Sequence, residues 1–262
     1  MTESTLLLIP ACNEAGRIGT VIDSIRATRL PLDVLVVDDG SRDETAAEAR
    51  RHGAHVLRHP FNLGYGTALH TGYQFARRHG YQRVVQMDAD GQHDPCSLVA
   101  LLEGLDNGAD VVVGSRYRTD HPPATSWLRR VGSTMFAWIV RRWTGIAITD
   151  PTSGYQALSQ RALAEVTKDT FPEDYPDADV LISHARAGLR LVEVPAVMHP
   201  RLGGVSMHRG GKAAYYGYKM FLTLCLMPVR RRSHYRAAVG AGAAPSPTPS
   251  SSPASTPEAR HP

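Results

Sequence analysis

The first half of the chain alternates short apolar runs with segments of helical periodicity. Leu6 to Ile9 forms an apolar run suited to a buried strand. Ile18, Val21, Ile22 and Ile25 then recur at the spacing of one helix face. The alternation continues through Val34-Leu35-Val36-Val37, an Ala/Glu-rich helix from about Glu44, and His55-Val56-Leu57. A helix from about Gly66 to Arg78 follows, then Arg83 to Met87, a helix marked by Leu98, Leu101, Leu102 and Leu105, and Val111-Val112-Val113. Strands that are apolar throughout are buried on both faces. The pattern therefore predicts an α/β fold with a mostly parallel central sheet, helices on both faces and right-handed connections.

The second half is less regular. Trp127, Leu128, Val131, Met135, Trp138 and Ile139 predict an amphipathic helix, and Leu189 to Val194 a further strand. Ala213 to Met227 reads as a last helix, closed by Pro228 and followed by Arg230-Arg231-Arg232. Beyond about Ala237 the chain is dominated by Ala, Gly, Pro, Ser and Thr. Such a segment buries too little apolar surface to offset its ordering entropy. The expected organisation is one catalytic-size domain over residues 1–232, including a C-terminal amphipathic helix at about 211–228, and a disordered tail over 237–262.

Composition narrows the setting. A chain of 262 residues with 42% apolar content can bury a real core. A net charge of +4 suits a nucleotide diphosphate, a lipid phosphate or an acidic membrane surface, and equally a mildly basic protein with no such partner. It is too small to point to nucleic acid. Cys12, Cys96 and Cys225 are too widely spaced for a zinc site or a disulfide framework, so a reducing cytoplasm is expected. No basic, cleavable leader precedes the first strand, and no signal peptide is expected. The longest late apolar run, Met220 to Met227, falls far short of the ~20 residues that span a bilayer.

Candidate chemistry collects where parallel strands end, which is where α/β sheets bind ligands. Pro10-Ala11-Cys12-Asn13-Glu14 follows the first strand, Asp38-Asp39-Gly40-Ser41 the second, Asp88-Ala89-Asp90-Gly91-Gln92-His93 the fourth and Gly114-Ser115-Arg116-Tyr117 the fifth. One cluster alone is a turn, and Asp38 to Ser41 alone fits a helix N-cap. Four such clusters predict one cleft. Asp88 and Asp90 flank a small residue, and carboxylates so close repel unless a cation sits between them. Hard oxygen ligands suit Mg²⁺ or Mn²⁺, which would bridge to the phosphates of a nucleotide diphosphate. Asn62 and the glycines of Gly64-Tyr65-Gly66 predict a tight turn opening a helix, since a dinucleotide loop needs different spacing. His93 reads chiefly as a capping or structural histidine.

On these motifs, with Asn62-Leu63-Gly64-Tyr65-Gly66 and Asp150-Pro151-Thr152-Ser153-Gly154-Tyr155, the chain resembles glycosyltransferase family 2 over about residues 4 to 230. Within that family it is similar to the dolichyl-phosphate mannosyltransferase-like branch, the polyprenyl-phosphate glycosyltransferases. The resemblance implies the GT-A fold, a Rossmann-like sheet, and an inverting hexosyl transfer from a GDP- or UDP-sugar. It implies that Pro10, Cys12, Glu14, Val37 and Asp39 line the nucleoside pocket, with Asp39 accepting from the base or ribose. Cys12 stands where the family usually carries an aromatic residue, which removes a stacking surface. It further implies that Asp88, Ala89, Asp90 and Gln92 hold diphosphate and metal. Arg116, Arg129 and Ser133 would grip an acceptor phosphate, and Arg201 and Ser206 would lie in a loop closing over the donor.

The acceptor is left as a fork. A polyprenyl phosphate is already ionised and needs only cations, such as Arg116 and Arg129. A saccharide or other hydroxyl, as in cell-wall, polysaccharide or natural-product glycosylation, needs a base. Asp174, Asp177 and Asp179 precede Val180-Leu181-Ile182, where hydroxyl-directed relatives place that base; they equally fit helix N-terminal carboxylates. Arg129 and Arg130 fit a solvated helix face as well as a phosphate grip. The apolar last helix with its basic end fits either core packing or peripheral attachment to the inner face of the cell membrane. A non-catalytic nucleotide-sugar-binding protein is the remaining alternative.

Overall fold

A computed structural model describes residues 3–119, 127–168, 171–172 and 178–199, with the side chains of 127–132 outside that description. Seven strands form one sheet: β1 (Thr5–Ala11), β2 (Asp33–Asp38), β3 (His55–Arg58), β4 (Arg83–Gln86), β5 (Val111–Ser115), β6 (Gln156–Ser159) and β7 (Leu191–Pro195). Around it lie α1 (Ile18–Ala27), α2 (Thr45–Arg51), α3 (Tyr65–Arg78), α4 (Leu98–Asp106), α5 (Trp127–Thr144), α6 (Gln160–Val166) and α7 (Ala178–Arg186). The spatial order is β3-β2-β1-β4-β6-β5-β7. All pairings are parallel except those of β6, which runs antiparallel to both β4 and β5.

Both faces of the sheet are covered. Leu7 and Ile9 of β1 join a cluster with Ile18, Val21 and Ile22 of α1 and Leu98, Leu101 and Leu105 of α4. Leu8 points to the opposite face, against Gly72 of α3. Each fully buried aliphatic side chain contributes about 1.5–3 kcal/mol, which is why the strands tolerate no polar alternation.

The order reverses at β1, which lies between β2 and β4. Register explains why a crevice opens there. β4 pairs with β1 only from Thr5 to Leu8. The Ala11 carbonyl faces β2, accepting from the Asp39 amide. By strand alternation Pro10 faces the β4 side; the Met87 amide bonds the Leu8 carbonyl, and Pro10 has no N–H to continue the ladder, so the pairing ends there.

Sequence expectations for six of the strands and for α1 to α4 match this architecture. Three features differ, one of them the short helix α6, which was not expected. β6 was not expected, because Gln156-Ala157-Leu158-Ser159 is short and carries no β-branched or aromatic run. Part of the apolar stripe expected for α5 also faces away from the core; the side chains of Trp127, Leu128 and Val131 lie outside the description. Ser133, Phe136 and Val140 are buried, whereas Met135 and Trp138 are exposed. The helix carries apolar residues on two sides, and its packing against α7 decides which side is buried. Asp174, Asp177, Arg201, Ser206, the 211–228 helix and the 237–262 tail lie outside the described residues.

Candidate active site

The loops after β1 and β2 are tied to each other before any ligand is considered. Asn13 adopts a left-handed conformation (φ 56°), which asparagine tolerates. Its amide donates to Ser41 Oγ at 2.9 Å, and its Oδ1 accepts from the Arg42 amide at 2.9 Å. Asp38 is fully buried, accepts from the Ser41 amide at 3.0 Å and pairs with Arg58 Nε at 3.1 Å. The Asp38 carboxylate therefore closes the loop after β2, and Asn13 ties that loop to the one after β1. The Asp38–Ser41 segment is not a helix cap, since α2 begins only at Thr45.

Asp39 has a specific structural task. Its Oδ1 accepts from the Leu63 amide and from His59 Nδ1, both at 2.8 Å, and its Oδ2 from the Gly64 amide at 2.9 Å. His59 Nε2 continues to Thr71 Oγ1 at 2.9 Å. Gly64 has φ 102° and ψ 156°, a region open essentially to glycine alone. The buried carboxylate thus fixes the turn that launches α3, as the Asn62–Gly66 pattern predicts. Of the residues expected around a nucleoside, Pro10 and Val37 are buried partners in the β1–β2 ladder, and Glu14 is buried beside Arg17. Cys12 is half-buried, with Asn62 Nδ2 donating to its sulfur at 3.2 Å. Burial pushes its thiol pKa up, so it stays protonated.

Beyond β4 the chain turns through Asp88, Ala89 and Asp90. Asp90 Oδ1 accepts from the Gln92 amide at 3.0 Å, closing the turn, and Ala89 is buried beneath it. His93 stacks on Tyr155 (centroids 4.6 Å apart, 12° between planes). Its Nδ1 accepts from the Asp88 amide at 3.1 Å, so that nitrogen carries no proton. Burial holds its pKa below the usual range against the pull of Asp88 and Asp90. His93 is accordingly a structural prop for the acidic turn. The turn is also stitched to the segment after β7: the His199 amide donates to the Gln92 carbonyl at 2.7 Å, and His199 Nε2 meets Asp94 Oδ2 at 2.8 Å.

The antiparallel sense of β6 has a direct consequence. Gln156 is in register with Gln86 of β4 and Val113 of β5, so the residues that precede β6 sit at the carboxyl ends of both. That places Asp150 beside Arg116, whose Nε donates to Asp150 Oδ2 at 2.6 Å. Asp150 is fully buried. Its amide donates to Glu193 Oε1 at 2.8 Å, and the buried Glu193 carboxylate also accepts from the Thr149 amide and hydroxyl. A guanidinium has five donors, so this anchor orients Arg116 while leaving it capacity for an anion. Asp150, Glu193, Tyr65 and His199 were not singled out as site residues by sequence reasoning. For Asp150 the surrounding motif was the available signal.

Of the acceptor-side residues, Ser133 is buried in α5, and its Oγ has no hydrogen-bond partner among the described residues. The Arg129 side chain lies outside the description. Asp179 is buried in the first turn of α7. Asp88 and Asp90 with the Gln92 side chain offer oxygen donors on one turn. No group of three or more His, Cys, Asp or Glu residues placed to hold a metal occurs among the described residues. That set fits a Mg²⁺- or Mn²⁺-type ion that completes its shell with substrate phosphates and water, and does not fit an all-protein cage.

A mostly parallel sheet with one antiparallel insertion, its acidic turn beside the switch point, is the architecture of the GT-A fold. Residues 7–167 match the glycosyl transferase family 2 model, and the chain belongs to that family: it is a glycosyltransferase, similar in sequence to members of the polyprenyl-phosphate branch. It is 33% identical to the polyprenol monophosphomannose synthase of Mycolicibacterium smegmatis, over 80% of this chain and 82% of that protein. It is 34% identical to the undecaprenyl-phosphate mannosyltransferase of Micrococcus luteus, over 79% of this chain and 88% of that one. Among solved structures, glucosyl-3-phosphoglycerate synthase of Mycobacterium tuberculosis, in complex with Mn²⁺ and UDP-glucose, superposes with a TM-score of 0.64. The match covers 85% of this chain and 78% of that one at 22% identity, which speaks for the shared fold.

Proposed function

We propose that the protein transfers a hexosyl group, with inversion and with a divalent metal, from a GDP- or UDP-sugar to a polyprenyl phosphate. The observation that carries this reading is Arg116, pinned by buried Asp150 at the edge where the Asp88–Asp90 turn also lies. The names of the two mannosyltransferase relatives support the acceptor.

In this reading Asp88, Asp90 and Gln92 hold Mg²⁺ or Mn²⁺, which when bound offsets charge on the departing diphosphate. Pro10, Cys12, Glu14, Val37 and Asp39 shape the nucleoside end, with Val37 and Asp39 acting as its buried frame. Ala89 packs under the diphosphate, and Arg201 and Ser206 close over it. Arg116, Arg129 and the Ser133 hydroxyl hold the acceptor phosphate. An ionised phosphate oxygen attacks without a base, so Arg116 supplies fixed electrostatic stabilisation. Asp179 serves as base only if the acceptor is a hydroxyl; its place in the first turn of α7 fits the helix dipole instead.

A membrane-bound acceptor calls for peripheral attachment at the inner face of the cell membrane. Among the described residues no helix is long and apolar enough to cross a bilayer. Trp138 and Met135 on α5 are 65% and 46% exposed, with exposed Arg141 and Arg142 one turn on. Aromatic and basic side chains together favour an anionic leaflet.

The deciding experiment incubates the protein and Mn²⁺ with a panel of GDP- and UDP-hexoses and a short polyprenyl phosphate, reading product mass. Hexosyl-phosphoryl-polyprenol is expected, and Asp90→Ala should abolish both product and metal-dependent nucleotide binding. Transfer confined to sugar hydroxyls would overturn the acceptor. Tight nucleotide-sugar binding without turnover would make the chain a binding protein.

A further inference from the structure

Asp88 is not an isolated carboxylate. Tyr65, the first residue of α3, donates from Oη to Asp88 Oδ1 at 2.8 Å. The same phenol oxygen accepts from Gln86 Nε2 at 3.0 Å, and Gln86 Oε1 accepts from Tyr73 Oη at 2.5 Å. Gln86 and Tyr73 are buried. The acidic end fixes the direction of this chain. An ionised carboxylate only accepts, so the Tyr65 proton must point to Asp88. The phenol oxygen must then accept, which turns the Gln86 amide nitrogen toward it and leaves Oε1 for Tyr73. Burial pushes the Tyr73 pKa up, so it keeps its proton. Bonds aligned in one sense polarise each other.

Gly154 closes the pair from another side. A Cβ there would lie 3.1 Å from both Asp88 Oδ2 and Tyr65 Oη, so only a bare backbone fits without displacing them.

We propose that Tyr65 is a positioning residue for the metal. Its hydroxyl bonds Asp88 Oδ1 and so fixes the plane and direction in which the carboxylate faces the cation. The inference rests on the metal reading of Asp88 and Asp90 given above. A carboxylate free to rotate offers its two oxygens in many directions; one tethered at Oδ1 offers them in a set direction. Removing the partner that orients a metal ligand commonly costs 10–100-fold in metal affinity.

The test is calorimetric titration of wild type, Tyr65→Phe and Asp90→Ala with GDP, and separately UDP, each with and without Mn²⁺. Tyr65→Phe keeps the ring and deletes the bond. It should weaken Mn²⁺-dependent nucleotide binding about tenfold or more and leave metal-free binding unchanged. Asp90→Ala should lose the Mn²⁺ dependence altogether. If Asp90→Ala loses it and Tyr65→Phe does not weaken it, the positioning role is overturned and the metal site stands. If Asp90→Ala retains it, the metal site itself falls. Far-ultraviolet circular dichroism checks that Tyr65→Phe folds. If it does not, Gly154→Ala crowds the same pair while sparing both partners, and should give the same selective loss; unchanged Mn²⁺-dependent binding in it would overturn the proposal.

Discussion

His184 should set an acid limit on stability. It sits in α7, 2% exposed, and neither ring nitrogen has a hydrogen-bond partner among the described residues. Burial pushes its pKa down to about 4, against the pull of Glu165 and Asp110. In the unfolded chain a histidine titrates near ~6.5. The native value is the lower one, so between these limits the unfolded state binds a proton that the native state refuses. Stability is therefore complete above about pH 6.5 and declines as the pH falls toward about 4. A gap of roughly 2.5 units at about 1.36 kcal/mol each gives about 3 kcal/mol, with no discount for screening because the ring is buried. His184→Leu removes the titration and replaces two unsatisfied nitrogens with methyl groups. Urea unfolding followed by circular dichroism, at neutral pH and near about pH 4.5, measures the effect. Carboxylates titrate in both proteins, so the readout is the difference between them. Wild type should lose about 2–3 kcal/mol more than the variant on acidification. Equal losses would refute the assignment of the acid sensitivity to His184.

The remaining predictions concern the frame of Arg116 and the exposed face of α5. Glu193→Gln leaves one acceptor oxygen for the three donors of Thr149 and Asp150 and sets an NH₂ against them. It should cost about 1.5–3 kcal/mol, seen as a lower calorimetric midpoint, and reduce kcat more than it raises the donor KM; an unchanged midpoint and kcat would show the bonds to be dispensable. Trp138→Ser combined with Met135→Ser should cut sedimentation with phosphatidylglycerol vesicles by about tenfold or more while leaving unfolding unchanged. Equal sedimentation of variant and wild type would place the membrane contact elsewhere on the chain.

The sheet was legible wherever burial on both faces forced continuous apolar runs. Leu6 to Ile9, Val34 to Val37 and Val111 to Val113 leave little alternative to central parallel strands. β6 was not legible, because its stability comes from two neighbours and not from its own four residues. Pairing with β4 and β5 together satisfies its backbone, so Gln156 and Ser159 are accommodated without β propensity. The helix α5 was legible, but the exposure of Met135 and Trp138 was not, for a related reason. Periodicity locates apolar residues on a helix, but which of two apolar sides meets the core depends on α7, a partner distant in sequence.

The site divides along the same line. The acidic turn after β4 and the arginine after β5 could be read directly, since strand ends carry the chemistry in α/β sheets and local motifs mark them. What holds those groups could not be, because each support is a long-range contact. Asp39 illustrates the cost of reading a motif without its partners. In sequence it is an exposed-looking acid beside a glycine, available to a base or ribose. In the fold it accepts from Leu63, Gly64 and His59, so its first task is to place the α3 N-terminus. That in turn places Tyr65 against Asp88. A nucleoside role for Asp39 would therefore be inseparable from the geometry of the metal turn. Asp39→Asn would change both together, whereas a substitution at Cys12, whose sulfur takes only weak side-chain bonds from Asn13 and Asn62, is the cleaner probe of base selectivity.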